Sequence, residues 1–238
     1  MGEVIGPKAD VARIEDHVRR ALRAAVARGE EVAQAAQGRL APAVAAIDVA
    51  AAAHRVAADA EAEAWAAVLA EDAKSDLAIG SVRDAMWAAL GRPRGSQPLE
   101  QVFPEGVRTY TSGDPRMQPV LMQVLRARVL TAAAPQWSKE MRDGWAATIE
   151  TLRASYAAAV DAHRPAEANA TVAEVAYRAS VRSGQAALAS FKRDLKSLGL
   201  SEAQIHDIIP DATKPATGGA PVPPAPPAPA PAGGAASA

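Results

Sequence analysis

The sequence has no cysteine among its 238 residues. This excludes disulfide-stabilised folds, thiolate metal sites and cysteine nucleophiles. It does not identify the compartment, because a cysteine-free chain is stable in either redox environment. The stretch from Met1 to Lys8 has no basic region followed by an apolar segment. We therefore expect no signal peptide and predict a cytoplasmic location.

Aromatic residues are also scarce, at 4% of the chain, although 49% of the residues are hydrophobic. Much of the hydrophobic content is alanine, with 61 residues. A core of Ala, Val and Leu with few rings suits close helix packing. Runs of β-branched and aromatic residues, which mark strands, are missing except at 107–111. The composition predicts an all-α fold with at most one short strand.

The formal net charge is only −1. No global field therefore indicates a nucleic acid or an acidic membrane as partner. The longest weakly polar run, from Leu40 to Ala53, contains Pro42 and Asp48. It is too short and too rich in alanine to predict a membrane span. We expect a soluble protein without stable membrane insertion.

Apolar residues recur at helical spacing through most of the chain. After Pro7 and Asp10 the pattern predicts one helix of about 30 residues. A second helix is expected over 43–77, Gly80 and Ser81 interrupt it, and Ser81 begins a short third helix. Later helices are expected to begin near Asp114, Pro135 and Pro165. The last of these has heptad spacing typical of near-parallel packing on a partner helix, at Tyr177, Val181, Gly184, Leu188, Phe191, Leu195 and Leu198. A Schellman stop is expected at Gly199, and Ser201 with Gln204 predicts a capping box at the start of a short last helix.

The sequence does not determine how the helices are connected at two prolines. Pro42 and Pro165 can each mark a hairpin or a kink. With either choice, the sequence predicts an elongated antiparallel bundle of four long helices and two or three short ones. This bundle forms a domain over 1–209, whose halves at about 8–90 and 116–209 are joined by a connection over 91–115.

The C-terminal segment, 210–238, has a different composition. It holds half of the 18 prolines, mixed with Ala and Gly, and only Asp211 and Lys214 are charged. Such a segment cannot bury a core, so a disordered tail with polyproline II character is expected.

The connection is the one long stretch without alanine, which is absent from Gly91 to Arg126. Gly and Pro punctuate it, so it cannot form one regular helix. Functional residues often lie on loops held by a rigid scaffold. The candidate ligand or partner residues are Arg108, Tyr110, Asp114 and Arg116, which combine two guanidinium groups with a phenol and a carboxylate. The alternative is a structural role in which Arg108 and Asp114 form an ion pair that fastens the loop, and we favour it.

Neither metal sites nor catalytic motifs are indicated. A di-iron bundle needs Glu-x-x-His, and no acidic residue precedes any histidine by three positions. The phosphate-binding and nucleophile motifs are missing too. We therefore expect no metal and no cofactor. His54 alone lies on an apolar stripe, which is more typical of a hydrogen-bonded core histidine.

These patterns favour a non-enzymatic structural or protein-interaction protein, with a protein partner or a homo-oligomer as the expected assembly. The alternative is a small-ligand or enzymatic site formed by residues 102–118 against the bundle. A weaker alternative is a membrane-active helical bundle.

Overall fold

A computed structural model describes residues 10–209, and over this range the fold is all-α, as the sequence predicts. Six α-helices are joined by turns and, between α3 and α4, by a longer irregular connection. Their bounds are α1 Val11–Val26, α2 Glu30–Ala89, α3 Gln97–Val102, α4 Gln118–Thr131, α5 Lys139–Ser197 and α6 Glu202–Ile208. Two 3₁₀ turns, Val107–Tyr110 and Pro115–Met117, precede α4. The predicted tail at 210–238 lies outside the described residues.

Two very long helices, α2 and α5, form the axis of the molecule. They have 60 and 59 residues, so each is about 90 Å long at 1.5 Å per residue. The chain pairs them antiparallel, since Ile47 lies against Gly184 near one end. At the other end the Trp137 indole donates to the Met86 carbonyl. The predicted four long helices are therefore two, and four short helices pack around them.

Neither proline ends a helix. Pro42 lies inside α2 and Pro165 inside α5, so of the two alternatives the hairpin is excluded at both positions. A proline removes one backbone hydrogen bond and crowds the preceding turn. Both prolines are exposed and have alanine-rich neighbours with strong helix propensity, which lets the helix continue.

The predicted interruption at Gly80 and Ser81 is also wrong. The Ser81 hydroxyl does not cap a new helix but donates to the Leu77 carbonyl of the same helix at 2.9 Å. This bond to the preceding turn is the usual way in which a serine is accommodated inside a helix.

The real break near the N-terminus lies at Gly29, inside the single helix predicted after Asp10. Its φ of 128° is a conformation that favours glycine, and it lets the chain reverse between α1 and α2. As a result α1 folds back along α2, and Arg19 reaches Asp48 at 2.6 Å.

Local stop and start signals are confirmed at the end of the bundle. Gly199 has a φ of 80°, and the Leu200 amide donates to the Leu195 carbonyl, which is the predicted Schellman stop. Ser201 and Gln204 form the predicted capping box at the start of α6.

The buried side chains form two separate cores. The first core joins α1, the N-terminal part of α2, the C-terminal part of α5 and α6. It includes most of the predicted heptad, with Val181, Gly184, Leu188, Phe191 and Leu195 buried. The second core joins the C-terminal part of α2, the connection, α4 and the N-terminal part of α5.

Between the cores, none of the α2 residues over 48–67 and none of the α5 residues over 164–180 is buried. We call these two segments the stalk.

Candidate functional site

Tyr110, the aromatic member of the predicted site, is a core residue. Only 1% of it is exposed, and its ring meets Phe103 edge-on. Its hydroxyl donates to the Val102 carbonyl at 3.0 Å and accepts from Arg128 at 2.7 Å. Burial raises the pKa of Tyr110, and Arg128 opposes this shift. These bonds fasten the connection to α4, which is a structural role.

Arg108 and Asp114 do not form the expected ion pair. Residues 107–110 are a 3₁₀ turn, not the predicted strand, and Arg108 is exposed on it. Asp114 instead accepts from the Arg116 amide at 3.0 Å and caps the next turn. Among the ion pairs of residues 10–209, none includes Arg108 or Asp114. The ion-pair hypothesis is therefore wrong, and its physical reason is that the Asp114 carboxylate is used locally as a cap.

The Arg116 side chain contacts the stalk. Its guanidinium pairs with Glu167 of α5 at 2.9 Å, and its central carbon lies 5.1 Å from the centre of the Trp65 ring on α2. Arg116 thus contacts both long helices where the second core ends. The four candidates belong to one connection, and none of them lines either of the two cavities described below.

His163, a histidine without a metal-binding motif in the sequence, lies next to this contact. His163 is 1% exposed, and its Nε2 is 3.2 Å from Glu61 across the two long helices. The Trp65 ring covers it at 5.0 Å between centres. His54, expected in the core, is instead half-buried and stacked on Tyr177 at 5.7 Å. No local sequence pattern indicates either pair, because each partner lies on the other long helix.

A second polar contact joins the long helices inside the second core. The Tyr156 hydroxyl donates to Asp72 at 2.7 Å, and burial followed by this hydrogen bond raises the pKa of Tyr156. Burial, and then the charge of Asp72, raises the pKa of Asp76. Across residues 10–209, no three metal-ligating side chains cluster. The arrangement is that of a structural hydrogen bond between helices.

A polar cavity of about 400 Å³ lies beside the connection. The Trp87 indole donates to the Pro93 carbonyl at 3.0 Å, which holds the loop after α2 in place. Arg92 follows with a φ of 55°, a left-handed conformation unusual for a residue with a side chain. The lining of this cavity includes Arg83, Trp87, Arg94, Ser96, Glu100 and Phe103.

A larger and mostly apolar groove lies along the stalk, between α2 and α5. Its volume is about 660 Å³. From α2 the lining residues are Ala52, Ala53, Val56, Ala57 and Ala60, and from α5 they are Ala162, Pro165, Ala166 and Asn169. We call this surface the stalk groove. The sequence does not indicate this groove, because alanine is a strong helix former and its presence there predicts only a helix.

By length and composition, α2 is also apolar enough to cross a membrane. Its most apolar 18-residue window has a mean hydropathy of 1.4, and 11% of that window is buried. The same window is therefore largely accessible from outside the protein.

Comparison of the chain with protein-family models, with curated proteins and with solved structures found no match.

Proposed function

We propose that this chain is a non-enzymatic structural protein whose stalk groove binds an α-helical protein partner through small apolar side chains. One observation supports the proposal above the others. The stalk groove is lined almost entirely by apolar side chains and lies between the two cores, and Val56 in this groove is 71% exposed.

The energetics favour a helical occupant. Burying one exposed valine stabilises a complex by about 1.5–3 kcal/mol, and the neighbouring alanines add smaller amounts. Alanine side chains also let another helix approach to about 8 Å, the lower end of helix–helix distances. A flat sheet or a loop would bring backbone groups that this groove, with a single polar lining residue, could not satisfy.

The contacts that the buried polar side chains make support a structural role. The pairs His163–Glu61 and Tyr156–Asp72 each join α2 to α5. Groups of these types carry acid–base chemistry in enzymes when they face a cavity. Here they connect the two long helices, and neither pair lines the stalk groove or the polar cavity.

A photo-cross-linking experiment in cells tests this proposal. A benzoylphenylalanine replaces Val56 in the full chain, and a matched variant carries it at Val175. Val175 is 62% exposed on the stalk but is not a groove residue.

We expect the Val56 probe to give one discrete protein adduct, with its cross-linked peptide in a helical segment of the partner. The Val175 probe should not give that adduct. Equal adducts at both positions, or none at Val56, would contradict the proposal.

The polar cavity supports a second candidate, a small-ligand site. Its volume of about 400 Å³ lies within the range of small-molecule pockets, about 300–1,000 Å³. Arg83 and Arg94 supply guanidinium groups for a carboxylate, and Trp87 and Phe103 supply an apolar wall.

The test uses 2-naphthoate as the probe, titrated against tryptophan fluorescence. Arg94→Gln should weaken binding at least about tenfold, the usual range for one charge-assisted hydrogen bond. Arg108→Gln is the matched control, since Arg108 is an exposed arginine of the same connection outside the cavity. No saturable binding, or the same loss in both variants, would rule this candidate out.

A further inference from the structure

The polar cavity beside the connection has one guanidinium and one carboxylate in its lining that no other side chain neutralises. Arg94 lies in the loop after α2, and Glu100 lies on α3. Within residues 10–209, neither side chain forms an ion pair or a hydrogen bond, although both line the same cavity. Arg83, the third charged residue of the lining, already pairs with Asp84 at 2.9 Å. Arg94 and Glu100 are therefore the two charges that this cavity offers to a ligand.

The apolar part of the lining is held in place by contacts outside the cavity. The Trp87 indole donates to the Pro93 carbonyl at 3.0 Å. Phe103 is 5% exposed, and its ring meets Tyr110 edge-on at 5.7 Å between centres. Leu99 completes this wall. Side chains that are already ordered bind an apolar group without the entropy cost of ordering them, so the wall suits one flat apolar group.

We propose that this cavity binds a zwitterionic small molecule, an amino acid with an aromatic side chain. This inference rests on the small-ligand candidate of the proposed function and identifies its ligand class. The Arg94 guanidinium donates to the ligand carboxylate, which matches its fork of N–H groups. Glu100 accepts from the ligand ammonium, which has donors only. The aromatic side chain packs on the wall that Trp87 and Phe103 form.

The two opposite charges disfavour a ligand that carries only one charge. A carboxylate without an ammonium group places a negative charge near Glu100, and an amine without a carboxylate places a positive charge near Arg94. Like charges at these positions oppose binding. A neutral ligand would take water from both groups without replacing its hydrogen bonds. A zwitterion avoids these costs, so the cavity selects it.

The experiment is isothermal titration calorimetry of the full chain with three ligands that share one phenyl group. These ligands are L-phenylalanine, 3-phenylpropanoate, which lacks the ammonium group, and 2-phenylethylamine, which lacks the carboxylate. We expect L-phenylalanine to bind at least about tenfold more tightly than either analogue, because each analogue loses one charge-assisted hydrogen bond. Equal or tighter binding of either analogue would overturn the inference. This comparison uses no substitution, so it does not depend on the folding of a variant.

Two substitutions assign the ligand charges to residues, after circular dichroism has confirmed that each variant is folded. Glu100→Gln should weaken the binding of L-phenylalanine about tenfold but not that of 3-phenylpropanoate. Arg94→Gln should weaken L-phenylalanine by a similar factor but not 2-phenylethylamine. Glu105→Gln is the matched control, since Glu105 is an exposed glutamate of the same connection outside the lining. No loss in Glu100→Gln, or the same loss in Glu105→Gln, would contradict the inference.

The small-ligand candidate has a separate readout, the titration with 2-naphthoate. If 2-naphthoate binds saturably and L-phenylalanine does not, the ligand class is wrong and the small-ligand site remains. If neither 2-naphthoate nor any of the three phenyl ligands binds, the small-ligand candidate fails, and this inference fails with it.

Discussion

Gly184 of α5 lies directly against Ile47 of α2, so closely that a Cβ on Gly184 would be 2.9 Å from the Ile47 Cδ1. The same Cβ would also lie 3.5 Å from Val18 of α1. Three helices therefore meet at one position that has no side chain. This contact fixes the separation of the long helices where the first core begins.

The first prediction compares two glycines of α5. Gly144 has open space around it, so Gly144→Ala should stabilise the fold by about 0.5–1 kcal/mol through helix propensity. Gly184→Ala should gain less than Gly144→Ala, because the buried Ile47 side chain must shift. Urea unfolding measures both. An equal gain at the two positions would mean that the helices are not in close contact at Gly184.

The second prediction concerns the heptad of α5. Leu188 is 1% exposed and Leu195 is fully buried. Each substitution to alanine should lower the free energy of unfolding by about 2–5 kcal/mol, since it leaves a cavity in the first core. Leu198→Ala is the control, because Leu198 is 41% exposed, and it should change stability little. Similar small effects in all three variants would contradict the burial of Leu188 and Leu195 in the first core.

The third prediction concerns Asp76, whose Oδ1 is buried without a hydrogen-bond partner. Burial raises the pKa of Asp76 in the folded state, so the protonated form is favoured there. The contribution of Asp76 to the free energy of unfolding is therefore most favourable at pH values below its unfolded pKa. This contribution is lost as the pH rises through its folded pKa. Asp76→Asn should therefore stabilise the protein at neutral pH and have little effect in acid.

The measurement is the free energy of unfolding as a function of pH for the original chain and Asp76→Asn. Asp84→Asn is the control, since the Asp84 side chain is 67% exposed beside Arg83. If Asp76→Asn destabilises the protein at neutral pH, the Asp76 carboxylate has a favourable partner and the account of this residue is wrong.

The local part of this fold was predictable from the sequence. The capping box at Ser201 and the stop at Gly199 depend on residues within one turn, and both were found where predicted. The choice between a hairpin and a kink at Pro42 and Pro165 could not be made from the sequence, because whether a helix continues through proline depends on packing along its whole length. The partners of the candidate site residues could not be predicted for a related reason. Arg116 finds Glu167, 51 positions away, and no local pattern indicates such a pairing.

The fourth prediction concerns membranes. Although α2 is long and apolar enough to span a bilayer, separating it from α5 would open both cores. We expect no co-sedimentation with phosphatidylcholine or phosphatidylglycerol vesicles at physiological salt. Binding that Val56→Arg abolishes and Val175→Arg preserves would instead identify a lipid surface as the occupant of the groove.

The most direct test of the account is the photo-cross-linking experiment with the probe at Val56 and the control probe at Val175. The account predicts one discrete protein adduct from Val56, because Val56 lies in the apolar stalk groove, and no such adduct from Val175. No adduct from Val56, or equal adducts from both positions, would contradict the account.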